Sequence, residues 1–248
     1  REIDSRISES DEYDAILHGF DAKYIRTGPS GKVTRGRYDI LPSGKNFYTL
    51  DVHQLPTLAA YRVGYNLAAA VIKKHQDDAG RLPENVAIYW NSTDITCCDG
   101  EGMGQIMVLM GVRPRWAPSG RVNGFDIIPL EELGRPRIDV TIRAGGIIRD
   151  NFPECIYYID EVIRTVAELN EPLEMNYVRK HSLNKLKNVN DATPGEWEEV
   201  NIRIFGARPG TYMSGVNLAV YASSWKEEKD LADIFVYWNQ YGYGKNIH

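Results

Sequence analysis

An α/β protein built on a parallel sheet with flanking helices, of the Rossmann or flavodoxin kind, is what this sequence predicts. A second small α/β part is allowed at its C-terminal end. Three observations carry the prediction. The apolar run 86–90, bounded by Pro83 and Asn91, reads as a buried strand. A glycine-rich turn, Asp99-Gly100-Glu101-Gly102, leads into a helical stretch through Met110 that Gly111 stops. The β-branched, alternating run 138–143 reads as another strand, and strand, helix, strand in this order implies right-handed parallel crossovers. The 248 residues allow one large or two small domains. A chain of this size buries roughly 70–75 % of its unfolded surface, so no disulfide or metal staple is needed.

Residues 1–50 are rich in turn formers, Gly28-Pro29-Ser30-Gly31 and then Leu41-Pro42-Ser43-Gly44, and read as an ordered, loop-rich lead-in. An α/β core then spans 51–187. Pro56 opens a helix to about His75, which caps it, with Gly80 beyond the end. After the strand at 86–90 and the helix through Met110, residues 112–116 form a second strand and 138–143 a third. In 152–169 the apolar positions Ile156, Ile159, Val162, Ile163 and Val166 recur at helical spacing. A further helix covers 174–187. The polar stretch 188–196 with Pro194-Gly195 reads as a linker, and 188–248 as a C-terminal α/β segment. That segment holds a strand at 200–205 and helices near 214–223 and 230–238.

Apolar residues make up 43 % and charged residues 25 % of the chain, which excludes intrinsic disorder. No run approaches the ~18 apolar residues of a membrane span. The charged start, Arg1-Glu2-Ile3-Asp4, is unlike a signal peptide. With 29 basic against 34 acidic residues, the balance argues against a nucleic-acid module working by phosphate neutralisation. Three cysteines, Cys97, Cys98 and Cys155, make no disulfide framework and no C-x-x-C motif, and point to a reducing, cytoplasmic setting. They read as small buried or half-buried thiols.

Gly100, Gly102 and Gly104 stand where a dinucleotide fingerprint would, but position 105 is Gln where its third glycine belongs. Glu101 also puts an anion at the anion-binding end of the helix. A tight turn is the better reading. No G-x-x-x-x-G-K-[ST] loop occurs, so ATP is not expected to be hydrolysed by this chain. The five histidines show no zinc-binding spacing; His53, on a loop beside Asp51, is the best placed for chemistry.

Several segments, in order, resemble the large subunits of the tetrapyrrole metal chelatases, the cobaltochelatase and magnesium-chelatase family. Leu41-Pro-Ser-Gly-Lys-Asn-Phe-Tyr48 is similar to the family's Leu-Pro-Thr-Gly-Arg-Asn-Phe-Tyr. Leu55-Pro56-Thr57, Gly100-Glu101, Gly111-Val-Arg-Pro-Arg-Trp116 and Leu133-Gly-Arg-Pro-Arg-Ile-Asp-Val140 follow. Then come Arg149-Asp150 before Phe152-Pro153, Glu171-Pro172, Asn176, Val178-Arg-Lys-His181, Arg203-Ile-Phe-Gly206, Pro209-Gly-Thr-Tyr212 and Tyr243-Gly244. The versions at 114–116, 203–206 and 243–244 look like the cobalt branch, while 171–176, 178–181 and 216–220 are also similar to the magnesium branch. Family members are several times longer, so the chain looks like an internal piece. It departs from the family pattern at Ser43, Lys45, the 95–99 stretch, Gly145, and Met213 where glycine is usual.

What the resemblance implies is a segment of the tetrapyrrole-binding subunit of an ATP-dependent metal chelatase. It would insert cobalt into a corrin-ring precursor, hydrogenobyrinic acid a,c-diamide, in cobalamin biosynthesis. The alternatives are a magnesium-chelatase subunit acting on protoporphyrin IX, or a non-catalytic tetrapyrrole-binding or docking module. The divalent metal is a substrate, and ATP is used by partners: an AAA+ ATPase subunit and an integrin-domain (VWA) subunit. No nucleic acid and no membrane span are implied.

Insertion requires removal of two pyrrole protons and desolvation of the ion, work suited to a carboxylate or imidazole beside the ring. Glu101, at a strand's carboxyl end where open α/β sheets bind ligands, is the candidate proton acceptor and transient metal ligand. Asp99 and His53 would assist, His53 as a second metal ligand favouring cobalt. Arg143, Arg149 and Arg203 are candidates for the carboxylate rim of the macrocycle, with Asp139 and Asp150 as their orienting partners. Tyr48 and Trp90 are candidates for stacking on the ring.

Overall fold

A computed structural model describes residues 1–29, 31, 33–48, 50–186 and 191–245, the side chains of Arg35, Phe47 and Tyr48 apart. Two helices, α1 (Glu2–Ser8) and α2 (Glu12–Phe20), open the chain where turn-rich composition predicts loop. Local polar pairing makes them: Arg6 bonds Glu2 one turn back at 2.6 Å, and the Asp11 side chain caps α2 through the Asp14 N–H. Neither helix buries a residue, although Tyr13, Ile16, Leu17 and Phe20 of α2 recur at helical spacing. Strands β1 (Thr27–Pro29) and β2 (Asn46–Tyr48) then pair in parallel.

Helix α3 (Leu58–Ala79) is capped by Thr57, which accepts the Ala60 N–H, and ends at Gly80 in the left-handed region. Pro56, expected to open it, instead precedes the cap, following a cis Leu55–Pro56 bond. The cap role expected of His75 falls to Gly80, since His75 lies inside the last turns. Strand β3 (Asn85–Trp90) leads to the short helix α4 (Ser92–Cys97) and then α5 (Glu101–Leu109). Six of the nine residues of α5 are buried, so it is a core helix.

Helices α3 and α5 touch backbone to backbone. A Cβ on Gly64 would sit 2.5 Å from the Gln105 nitrogen, and one on Gly104 would sit 3.0 Å from the Tyr61 Cα. Glycines are therefore the condition of this packing.

Strand β4 (Val112–Trp116) departs from its expected place. It pairs antiparallel with β5 (Val122–Ile127) in a separate hairpin, outside the parallel sheet. Only five residues, 117–121, separate the two strands, too few for a crossover and enough for a hairpin turn. After α6 (Leu130–Leu133), β6 (Asp139–Ala144) lies parallel beside β3, pairing Val86 with Val140 and Trp90 with Ala144. Helix α7 (Gly146–Asn151), not expected, precedes α8 (Pro153–Glu168), whose first residue is proline and whose buried face runs Cys155, Ile156, Ile159, Val162, Ile163 and Val166.

Helix α9 (Tyr177–Lys185) follows, capped by Asn176. The expected linker 188–196 lies outside the described residues in its first three positions, and its end belongs to α10 (Pro194–Val200), which a Thr193–Glu196 capping box starts. Strand β7 (Ile204–Gly206) joins β6 in parallel. Helices α11 (Val216–Tyr221) and α12 (Glu228–Trp238) lead to β8 (Tyr241–Tyr243), antiparallel on the far side of β7. The strand order is β3-β6-β7-β8, a mostly parallel sheet with helices around it. Strand β7 thus ties the C-terminal stretch to the sheet that β3 and β6 begin. The core gathers Trp90, Ile95, Met103, Ile106, Val140, Ile142, Ile148, Ile159 and Ile163, among others.

Candidate functional site

Two cavities meet beyond the carboxyl ends of β3 and β6, where open α/β sheets place ligands. The larger has a volume of about 1220 Å³. One wall is the lead-in (Ile16, Ile25, Ile40, Lys45, Asn46); the other is Thr96 and Cys97 of α4 with Ile147, Asn151 and Phe152 from the α7 region. That exceeds the ~300–1,000 Å³ of ordinary small-molecule sites, and its walls are mainly apolar with a few polar groups, as such sites are. The smaller cavity, about 330 Å³, is polar and is lined by Arg37, Thr57, Cys97, Cys98, Asp99 and Glu101 among others. Cys97 lines both.

The acidic turn is set by backbone conformation. Asp99 adopts φ +53° and Gly100 φ +87°, with Gly100 so close to Pro56 that a Cβ would lie 3.0 Å from its Cα. The Asp99 carbonyl accepts the N–H of Thr57 at 3.1 Å, which docks the turn on the start of α3. Arg37 reaches it from the lead-in: its guanidinium binds Asp39 through two bonds of 2.9 Å and stands 3.6 Å from Asp99. That bidentate contact holds the Asp39 carboxyl below its ordinary range. Arg37 gave no sequence signal, since it sits in a turn-rich stretch without periodicity.

The N-terminal amides of α5, the candidate phosphate cradle, are already occupied. The Asp94 carboxylate accepts the N–H of Gly102 at 2.7 Å and that of Met103 at 3.2 Å. The protein's own anion therefore fills the place a nucleotide phosphate would take. Desolvation by burial pushes the Asp94 carboxyl upward.

The sequence candidates separate. Asp99 and Glu101 share the small cavity. His53 is exposed on the one-turn helix Val52–Gln54 and does not line that cavity. Among the described residues, no three His, Cys, Asp or Glu side chains are grouped closely enough to hold a metal ion, so the expected convergence of His53 with the two acids does not occur.

Trp90 is 1 % exposed and donates its indole N–H to Asp94, which leaves no face free for a ring to stack on. The Tyr48 side chain lies outside what the structure describes.

Each arginine expected at the macrocycle rim is engaged internally. Arg203 is 2 % exposed and binds both oxygens of Asp139, at 2.9 and 3.1 Å, as well as Ser182 and the Val200 carbonyl. Arg149 makes a bidentate pair with Asp150 and spends its remaining N–H groups on the carbonyls of Ala207, Arg208 and Thr211. Arg143 binds Asn239, the Tyr89 hydroxyl and the Met213 carbonyl. Asp139 and Asp150 are thus the partners of Arg203 and Arg149; Arg143 and Arg149 hold the C-terminal loops onto the sheet, and Arg203 ties α9 and the end of α10 to it. A buried guanidinium has five donors to satisfy, and loop carbonyls satisfy them. All three cysteines are free, Cys97 and Cys98 half-buried and Cys155 buried. Among the described residues, no helix is long and apolar enough to cross a membrane.

Comparison with known proteins gives this site a context. The chain matches the CobN/Magnesium Chelatase family model over residues 1–248. It is 54 % identical, over its whole length and 20 % of the relative, to an uncharacterized protein of Methanocaldococcus jannaschii. It is 36 % identical to the aerobic cobaltochelatase subunit CobN of Pseudomonas aeruginosa, over 94 % of this chain and 19 % of that one. To the chloroplastic magnesium-chelatase subunit ChlH of Oryza sativa subsp. japonica it is also 36 % identical, over 93 % of this chain and 16 % of that one. Its fold is similar to the catalytic subunit of cobaltochelatase from Mycobacterium tuberculosis, with a TM-score of 0.88 and 35 % identity over 95 % of this chain and 20 % of that one. The chain spans about a fifth of the length of the relatives it matches.

Proposed function

The chain belongs to the CobN/magnesium chelatase family, and from that premise we propose that it works as a segment of the large, tetrapyrrole-binding subunit of an ATP-dependent metal chelatase. The observation that carries the reading is the apolar cleft of about 1220 Å³ that abuts the Asp99–Glu101 turn at Cys97. An apolar macrocycle edge fits the cleft, and a carboxylate beside it can accept a pyrrole proton as the metal enters. In this reading Glu101 is the proton acceptor and Asp99 its neighbour. The segment supplies the wall and the base, and the divalent metal arrives as substrate.

Cobalt is the metal we assign, on the sequence versions at Pro114-Arg115-Trp116, Arg203-Ile-Phe-Gly206 and Tyr243-Gly244. Magnesium is the second reading, favoured by Glu171-Pro-Leu-Glu-Met-Asn176. The AAA+ and integrin-domain partners that would supply ATP-driven work belong to the same proposal.

Glu101→Gln, made in the complete large subunit and assayed with its partners, tests it. Metal insertion is expected to fall at least a hundredfold while tetrapyrrole binding, followed by visible absorbance, stays within twofold. Normal turnover would remove Glu101 from the site. Comparing Co²⁺ with Mg²⁺ in the same assay decides the metal.

A further inference from the structure

We propose that Asp94 is a positioning residue, whose carboxylate fixes the acidic turn against the wall of the cleft. The inference rests on the reading of Glu101 above. Asp94 sits in the middle of α4, between Ile95, which is fully buried, and Trp90 one turn earlier in sequence. Its two oxygens collect three N–H groups from two other elements. Oδ1 accepts from Gly102 at 2.7 Å; Oδ2 accepts from Met103 at 3.2 Å and from the Trp90 indole at 2.9 Å. Its own carbonyl accepts the Gly100 N–H at 2.9 Å. One residue therefore holds the Cys98–Glu101 turn at Gly100 and just beyond it at Gly102 and Met103, and anchors it to the last residue of β3.

The same short helix continues as Thr96 and Cys97, which line the cleft. Asp94 itself lines neither cavity, so it acts through the turn. The fit is tight: a Cβ on Gly102 would meet the Asp94 carboxyl atoms at 3.1–3.3 Å. Three donors require a charged, two-oxygen acceptor. An amide offers one acceptor oxygen and presents N–H₂ where an acceptor is needed, while hydrogen bonds to an ionised acceptor are roughly twice as strong as neutral ones.

The test uses the complete large subunit with its partners and two independent perturbations. Asp94→Asn removes the charge at constant shape; Gly102→Ala pushes on the carboxylate at constant charge. Each is expected to lower the metal-insertion rate constant at least tenfold, with the tetrapyrrole dissociation constant within twofold and unfolding still cooperative. Asp94→Glu, which keeps the charge, is expected to recover part of the rate that Asp94→Asn loses. Wild-type turnover in Asp94→Asn, beside a dead Glu101→Gln, would overturn the positioning role alone. Equal losses in tetrapyrrole binding, stability and rate would assign Asp94 to general folding and overturn it too. Normal turnover in Glu101→Gln would overturn the reading of Glu101, and this inference with it.

Discussion

His181 lies between two carboxylates, its Nδ1 2.7 Å from Asp139 Oδ2 and its Nε2 3.4 Å from Glu84 Oε2. The bond to Asp139 raises the imidazole pKa above its ordinary value, against partial desolvation and the nearby Arg203 guanidinium. Lys180 shares Glu84 and holds its carboxyl low. A raised folded pKa contributes stability that is fully present below the unfolded value of ~6.5 and is lost as pH rises through the folded one. His181→Gln is therefore expected to lower the urea midpoint more at pH 6 than at pH 9; an equal loss at both would mean the imidazolium contributes nothing. Met213 shows what a residue-scale departure from family pattern means physically. It has φ +66°, a conformation that favours glycine, and its carbonyl is bound by Arg143 in that conformation. Sequence marked the position, and backbone geometry explains why glycine is usual there.

Packing between α3 and α5 turns on Gly64, whose absent side chain leaves room for the backbone of Gln105, Gly104 and Glu101. Gly64→Ala is expected to destabilise the chain by about 1–3 kcal/mol, the usual cost of overpacking, read as a lower urea midpoint. Because the Glu101 carbonyl lies 2.7 Å from the added Cβ, the acidic turn should shift with it. Elements with a strong apolar pattern were legible: α3, α5, α8, β3 and β6 all stand where their residues predict them. Short helices started by local polar contacts were not, as α1, α2 and α10 show, because turn formers surround them and no buried face marks them, even where α2 spaces Tyr13, Ile16, Leu17 and Phe20 helically. The strand β4 was legible as a strand but not by partner, since its five residues carry no mark distinguishing a hairpin from a crossover. That Glu101 and Asp99 are candidates was legible from a turn after a strand, and they line the same small cavity. Arg37 and Asp94 were not legible, because their contacts with the turn exist only once the chain is folded. The internal partners of the arginines were not legible for a related reason: a guanidinium that clamps loop carbonyls and one that binds a ligand rim look alike in sequence.

Across the whole molecule, two buried ion pairs stitch distant stretches together, Arg203 with Asp139 and Arg137 with Glu171. Arg149, paired with its neighbour Asp150, does the same through the carbonyls of Ala207, Arg208 and Thr211. Arg137, fully buried, spans 34 positions to Glu171 while also binding the carbonyls of Met110, Gly111 and Ile128. Breaking any such pair would leave a charge without its partner, which is costlier than never having buried it. These pairs connect the start of β6, the carboxyl end of the sheet and the loop before α9, so the core and the C-terminal stretch share one polar framework. The sheet itself stops at β3, which among the described residues has a strand on one side only. Its sequence, Asn-Val-Ala-Ile-Tyr-Trp, contains no charge and no proline to discourage pairing. Expressed by itself, the 248-residue chain should therefore self-associate through that edge as its concentration rises. Ala87→Lys, which places an ammonium at an exposed position in the middle of β3, is expected to abolish the concentration-dependent light scattering and leave the circular dichroism spectrum unchanged. With β3 at the sheet's edge, solubility becomes a property of one strand's unpaired backbone groups and of whatever covers them.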